Sequence, residues 1–165
     1  MSKFVGFTGR LQLDWGDFSQ AISNQGTTVN AGKYAFTLSP INWVDGDVSV
    51  YIPAMTFTDG VSIPSWLWMI LPRWGDISTI AGILHDFLLD GILDEKPALG
   101  FEKRSTVDRT FRKALIVLGV ARWRAYVAWI GVRMNSICYE TFGWPPQRSE
   151  LMQRLMKEGT GNASI

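Results

Sequence analysis

The chain contains a single histidine, and an acidic residue follows it directly. His85 and Asp86 lie within the otherwise apolar run Ile83–Phe87. Upstream, Asp59 and Ser62 form a second short polar group beside β-prone sequence. An imidazole and carboxylates placed in apolar surroundings are typical of a metal site or a general acid–base site. These residues are therefore the first candidates for chemistry.

A metal-binding interpretation uses Asp59, His85, Asp86 and Asp108. Three carboxylates and one imidazole offer mainly oxygen ligands, which suit Mg²⁺, Mn²⁺ or Ca²⁺ better than zinc. A divalent cation bound there would lower the pKa of a water molecule and create a nucleophile for hydrolysis. The interpretation requires Asp59, from the end of a predicted strand, and Asp108, from the start of a predicted helix, to approach His85.

Without a metal, the same part of the sequence fits acid–base or nucleophilic catalysis. His85 is then the candidate general base, and a neighbouring carboxylate orients its ring. Ser62 is a candidate nucleophile, although the chain lacks the Gly-x-Ser-x-Gly elbow of many serine hydrolases. The predicted catalytic residues are His85, Asp86, Asp59 and Ser62.

Four of the five candidates also have a purely structural explanation. Asp59 precedes a glycine and suits a turn, and Ser62 suits the N-cap of a helix. The pair Ser105 and Asp108 has the spacing of a capping box, which would explain Asp108 by helix initiation alone. His85 fits a core histidine bonded to Asp59. The sequence leaves the chemical and the structural interpretations open.

The first 60 residues favour strands and loops. Polar and apolar residues alternate over Arg10–Trp15 and again over Tyr34–Leu38, which is typical of half-buried strands. The pair Asp45–Gly46 lies between β-prone residues and predicts a hairpin. Met55–Thr58 predicts the last strand.

The remainder of the chain favours helices. Over Ile77–Leu93 the apolar residues follow the 3.6-residue period of an amphipathic helix. We expect helices near residues 65–71, 77–93, 105–119, 121–141 and 148–158, followed by a tail at 159–165. Strands followed by helices predict an α+β fold, in which three to five helices of the C-terminal half pack on a small antiparallel sheet of the N-terminal half. The length of 165 residues predicts a single domain.

Composition and charge point towards contacts with other macromolecules. The chain has eight Trp residues, and Trp is enriched at protein interfaces. Residues 1–100 carry five basic against ten acidic residues, a net charge of −5, whereas residues 101–165 carry eleven against five, a net charge of +6. This polarity suits head-to-tail packing or a basic surface facing an anionic partner. A mixed, solvated surface explains the same counts.

Several classes of protein are disfavoured. The single cysteine, Cys138, excludes an internal disulfide and a cysteine-based zinc site. Arg122, Arg124 and Arg133 interrupt the most apolar stretch, so we expect no membrane span. The first residues lack a long apolar run, so we expect no signal peptide. Arginines interleaved with aromatic residues at 122–133 are compatible with nucleic-acid binding, but arginines that flank a core helix are the favoured interpretation.

The polar motifs together resemble domain-of-unknown-function family 1353, whose members are small proteins mostly from bacteriophages and prophages. The motifs are Thr58-Asp59-x-x-Ser62-Ile63-Pro64, then Ala81-x-Ile83-Leu84-His85-Asp86-Phe87-Leu88, then Asp108-x-x-Phe111. The family pattern is T-D-x-A-S-x-P, A-x-L-H-D-Y-L-Y, A-D-x-x-F and a final V-R, which Val132-Arg133 matches. This chain departs from the pattern at Val61, Phe87, Leu89 and Val107, and no departure removes an ionisable residue.

The resemblance covers about residues 50–145 and implies a phage origin but no established reaction. It carries over the positions Asp59, Ser62, His85, Asp86 and Asp108. We expect either a tail- or neck-associated virion component that packs against other phage structural proteins, or a metal-dependent hydrolase acting on the host envelope or on a nucleotide or peptide bond. In the first case the protein is made in the host cytoplasm and then incorporated into the virion. The sequence does not decide whether it is an enzyme.

Overall fold

A computed structural model describes residues 4–9, 13–16, 34–58 and 76–142 of the chain. The described strands are β1 (Val5–Thr8), β2 (Leu13–Gly16), β3 (Tyr34–Thr37), β4 (Ile41–Asp45), β5 (Val48–Ile52) and β6 (Phe57–Thr58). The described helices are α1 (Asp76–Leu93), α2 (Arg104–Val117) and α3 (Arg122–Phe142). The strands precede the helices, so the predicted α+β class is confirmed.

The strands within the described ranges form two three-stranded antiparallel sheets rather than the one sheet that the sequence predicted. One sheet has the order β1-β4-β5 and the other the order β2-β3-β6. In the first sheet Phe7 lies opposite Trp43, and in the second Phe36 lies opposite Phe57. The first sheet contributes Ile41, Trp43, Val50 and Ile52 to the hydrophobic core.

The predicted hairpin joins β4 to β5 and is closed by two residues, Gly46 and Asp47. Asp45 pairs with Val48 at the end of the ladder, so the loop lies one residue later than the Asp45–Gly46 pair suggested. Gly46 has φ +65°, a conformation that favours glycine in tight hairpin loops.

The three described helices match predicted helices to within two residues at every boundary. Helix α1 is buried on all sides from Thr79 to Asp86, because it packs against both α2 and β6. None of the helices in the described part of the chain combines the length and apolarity needed to cross a membrane. The helices predicted at 65–71 and 148–158 lie outside the described residues.

Thr37, at the end of β3, fixes the connection between β5 and β6. Its hydroxyl donates to the carbonyl oxygen of Pro53 (3.1 Å) and accepts the backbone N–H of Thr56 (2.9 Å). The backbone N–H of Met55 also donates to the carbonyl oxygen of Thr37 (2.6 Å). These bonds hold Met55 at φ +63° and set the position at which Thr58 meets helix α1.

Strand β5 offers a matched test of which face of the first sheet supports the fold. Ile52 is fully buried, whereas the adjacent Tyr51 is exposed on the other face. We expect Ile52→Ala to lower the free energy of unfolding by about 2–5 kcal/mol, because it leaves a cavity in the core. Tyr51→Thr keeps a β-prone residue and is expected to change the free energy of unfolding by about 0.5 kcal/mol or less. Urea titration followed by circular dichroism measures both, and equal losses would contradict the assigned faces.

Candidate functional site

His85 and Asp86 connect helix α1 to two different elements. Consecutive residues of a helix point about 100° apart, so the two side chains leave α1 in different directions. The Nε2 atom of His85 lies 3.0 Å from Oδ1 of Asp108 on α2. The hydroxyl of Thr58 on β6 donates to Oδ2 of Asp86 over 3.0 Å. The dipeptide therefore joins α1 to a helix on one side and to a strand on the other.

The carboxylate of Asp108 is the centre of this cluster. Its Oδ1 atom accepts hydrogen bonds from His85 and from the hydroxyl of Ser136, which lies 3.2 Å away. Its Oδ2 atom lies 3.4 Å from a guanidinium nitrogen of Arg133. Asp108 is completely buried, and one carboxylate therefore links all three described helices.

Phe111 packs against the imidazole that Asp108 binds. The centroids of the Phe111 and His85 rings are 5.1 Å apart, with the rings tilted by 55°. Asp108 and Phe111 are three residues apart on α2 and therefore share one face of that helix. This spacing places a hydrogen-bond acceptor and an apolar ring on the same histidine.

The imidazole of His85 lies between two carboxylates. Its Nδ1 atom is 3.9 Å from Oδ1 of Asp86, on the side opposite the bond to Asp108. Burial by itself lowers the pKa of His85, but the bond to Asp108 and the interactions with Asp86 outweigh it, so the pKa is raised above the ordinary 6.5. The site favours a charged imidazolium that donates to Asp108.

A second contact joins the start of α2 to the end of α3. The guanidinium carbon of Arg104 lies 3.7 Å from the centre of the Tyr139 ring, and Arg104 is buried. Burial lowers the pKa of Arg104. A guanidinium stacked on an aromatic ring is a favourable cation–π arrangement, and it strengthens the α2–α3 packing that carries Asp108.

One structural expectation for the carboxylates is wrong. Helix α2 begins at Arg104, and Lys103 occupies the N-cap position without a side-chain capping bond, so Ser105 and Asp108 do not form a capping box. Asp108 instead faces His85 on α1, and the bond between His85 and Asp59 that the sequence suggested lies outside the described residues. Asp86 is 2 % exposed, because β6 covers its side of α1.

The predicted catalytic and metal-binding sets are only partly within the described residues. His85, Asp86 and Asp108 come together, whereas Asp59 and Ser62 lie outside the described ranges, so both sets stay predictions. Within residues 4–9, 13–16, 34–58 and 76–142, no group of three or more His, Cys, Asp and Glu residues is arranged to hold a metal ion. His85 is 5 % exposed. Its contacts with Asp86 and Asp108 suit an imidazole that holds a proton between helices α1 and α2.

The sequence interpretation did not select Thr58, Arg133 or Ser136 as site residues. Thr58 and Arg133 were present in the motifs but were not assigned a role. Ser136 continues the core-facing spacing of α3 after Ala128 and Val132, all of which are buried. A hydroxyl at a core position of a helix signals a buried partner, because buried polar groups are hydrogen-bonded.

Comparison with known protein families decides what this chain is related to. A family described as "protein of unknown function (DUF1353)" matches residues 37–132, which is more than half of the chain. The chain belongs to this family. Comparisons with curated proteins and with solved structures gave no match. In this DUF1353 protein, Thr58, His85, Asp86 and Asp108 fall within the matched region and belong to one buried cluster.

The charge on His85 makes stability depend on pH in a defined direction. Because its folded pKa is above the unfolded value near 6.5, the stabilisation is complete below pH 6.5 and is lost as pH rises through the folded pKa. We expect the difference in unfolding free energy between the wild type and His85→Gln to shrink over that range. The chain has one histidine, so a single NMR imidazole resonance reports the pKa directly. Asp108→Asn is the control and is expected to lower the pKa of His85. A titration midpoint at or below pH 6.5 for His85 of the folded wild type would contradict the raised pKa.

Removing the central carboxylate is expected to destabilise all three helix contacts. Asp108→Ala leaves a buried imidazole, guanidinium and hydroxyl without their acceptor, and we expect a loss of about 3–5 kcal/mol in unfolding free energy. The control Asp45→Ala removes a partly exposed pair in which Lys113 Nζ lies 2.7 Å from Oδ2, and it is expected to cost about 1 kcal/mol or less. Chemical denaturation measures both variants. Similar losses would mean that Asp108 has no central role.

Proposed function

We propose that this protein is a structural component of the bacteriophage particle, associated with the tail or neck, that acts by packing against other particle proteins. The phage origin comes from the family resemblance in its motifs. The observation that carries the structural role is that helix α3 is apolar on two opposite faces. One of these faces packs in the core, and the other is open to solvent.

The core face of α3 is formed by small and apolar residues that are buried. These residues are Ala125, Ala128, Gly131, Val132 and Ser136. The opposite face carries five large side chains that are each between 37 % and 58 % exposed, and we call it the α3 stripe. Its members are Trp123, Tyr126, Ile130, Met134 and Ile137. A helix that is apolar on both sides is typical of one covered on both sides.

Five exposed, mostly apolar side chains on one face of a helix require a physical explanation. Single exposed apolar residues are normal on protein surfaces, whereas contiguous apolar stripes mark interaction sites. Trp and Tyr are also the residues most enriched where interfaces gain their binding energy. The α3 stripe therefore supports a partner protein as the ligand of this helix.

The charge around the stripe favours an acidic partner surface. Within residues 104–142 there are seven basic residues against two acidic ones, Asp108 and Glu140, a net charge of +5. Asp108 is buried and committed to His85. Arg104 is buried, and Lys113 and Arg133 contact carboxylates. The excess positive charge at the surface is therefore carried by Arg109, Arg112, Arg122 and Arg124, and it speeds the encounter with a negatively charged protein.

The alternative proposal is a metal-dependent hydrolase. The observation in its favour is the carboxylate-oriented imidazole of His85 and Asp108, an arrangement that general bases use. It is less well supported, because both side chains are buried in the described part of the chain. A catalytic role would also require Asp59 or Ser62, which lie outside it.

The structural role predicts that the protein is a stoichiometric part of purified phage particles. Gradient-purified particles analysed by quantitative mass spectrometry are expected to contain it at a fixed ratio to the major tail or neck proteins. Its absence from particles, with abundant protein in the lysate, would rule out the proposal.

A pair of surface variants connects this result to the α3 stripe. Ile130→Asp is expected to reduce incorporation at least tenfold, since it buries a charge in the proposed interface. Leu99→Asp, at a residue that is 90 % exposed outside the stripe, is the matched control and is expected to be incorporated normally.

A further inference from the structure

We propose that a cavity beside the C-terminal end of helix α1 binds a small organic cation, namely a protonated amine that carries an apolar body. The cavity has a volume of about 390 Å³, which lies within the range of small-molecule pockets, about 300–1,000 Å³. Its lining comes from the β5–β6 connection, from α1 and from the loop that follows α1. The site is therefore separate from the α3 stripe and goes beyond the proposed function.

The walls of the cavity are largely apolar. The β5–β6 connection contributes Pro53 and Met55, and helix α1 contributes Phe87 and Leu88. Aromatic rings pack favourably against other rings, and the thioether of methionine also makes favourable contacts with rings. These walls therefore suit a ligand whose body is apolar, and an aromatic body in particular.

The charges at the cavity favour a cation. Asp90 and Asp94 both line it and are four residues apart, which places them on one side of the helix end. Lys96 adds one basic group, but residues 86–96 together carry four acidic residues against one basic residue, a net charge of −3. Helix α1 also ends here, and the C-terminal end of a helix carries a partial negative charge.

An organic cation fits this arrangement better than a metal ion. In the ranges that the structure describes, no three or more His, Cys, Asp and Glu side chains are grouped to hold a metal. A protonated amine needs fewer carboxylates, because its N–H groups donate to one or two of them in charge-assisted hydrogen bonds. Its apolar body then contacts the walls.

Asp90 and Asp94 are placed where a carboxylate disfavours folding. Negative charge at the C-terminal end of a helix opposes the helix dipole, and the last turn of α1 contains no basic residue to offset it. Like charges four residues apart also repel each other. Helix stability therefore does not explain the two carboxylates, whereas cation binding does, since departures from the local rules of folding are expected at functional sites.

The backbone is also strained on two sides of the cavity. Among the described residues, Met55 and Glu95 are the non-glycine residues with a left-handed conformation, at φ +63° and +57°. Met55 lines the cavity, and Glu95 lies between two residues that line it. Next to Glu95, the N–H of Lys96 donates to the carbonyl oxygen of Gly91 (2.8 Å), a helix ending that normally uses glycine at the left-handed position. Strain of this kind clusters at ligand sites.

The experiment is an NMR titration of the full-length protein at neutral pH with three probes that share a phenyl ring and differ in charge. The probes are 2-phenylethylamine, 2-phenylethanol and phenylacetate. We expect the amine to bind with a dissociation constant of about 1 mM, a realistic affinity for nine non-hydrogen atoms. The alcohol is expected to bind about two- to fivefold more weakly, because it lacks the ion pair, and phenylacetate more weakly still. The amide shifts are expected at Met55, Phe87 and Gly91.

One pair of variants tests the role of charge. Asp94→Asn is expected to weaken binding of the amine about two- to fivefold and to leave binding of the alcohol unchanged. Glu95→Gln is the matched control, because it removes the same charge from an adjacent exposed residue that does not line the cavity, and it is expected to bind the amine like the wild type. Circular dichroism establishes that both variants are folded. Equal affinities of the wild type for the amine and the alcohol would overturn a cation as the ligand.

A third variant tests the location. Ala54 lines the cavity at an exposed position, so Ala54→Trp is expected to fill part of the cavity without unfolding the protein and to weaken binding of every probe at least tenfold. Unchanged binding by this variant, or shifts centred on Trp123 and Tyr126 of the α3 stripe, would overturn the cavity as the site. Tighter binding of Nα-acetyl-lysine methylamide than of 2-phenylethylamine would overturn a small molecule in favour of a basic protein side chain.

Discussion

The described helices depend on the contacts of one buried carboxylate, that of Asp108. A charged group without water requires several donors, and Asp108 obtains them from α1 and α3 while it belongs to α2. The hydrogen bonds are directional, so they fix the distance and the rotation of each helix relative to the others. Apolar packing alone would tolerate small shifts between these helices, whereas an unpaired buried charge would not.

The second constraint is that one short polar run serves two interfaces. His85 contacts α2 and Asp86 contacts β6. Two adjacent residues of α1 therefore fix the positions of helix α2 and of the sheet that contains β6. The three-residue spacing of Asp108 and Phe111 adds an apolar contact to the imidazole. Polar motifs that look catalytic in sequence thus have a demonstrable structural role here, and any chemistry would have to use the same residues.

Much of the architecture could be predicted from sequence because it depends on local patterns. The period of the apolar residues gave α1 and α3 to within a residue or two, and alternation gave β3. The hairpin followed from Asp45–Gly46, although its loop lies one residue later. The division into two sheets could not be predicted, since strand pairing joins residues far apart in sequence. The partner of His85 was left open for the same reason. The metal-binding interpretation brought Asp108 to the imidazole, the structural interpretation assigned Asp108 to a helix cap, and only packing decided between them.

The sequence by itself determined the α+β class, the family and the identities of His85, Asp86 and Asp108 as the polar residues that matter. It also contained the two apolar faces of α3, since both follow the helical period. Only the tertiary structure decided which carboxylate binds His85 and which face of α3 is buried. Helical periodicity places residues on a face, but it does not say what that face meets. That choice depends on contacts between distant segments, where the desolvation of a charge and the burial of an apolar surface are determined by the whole chain.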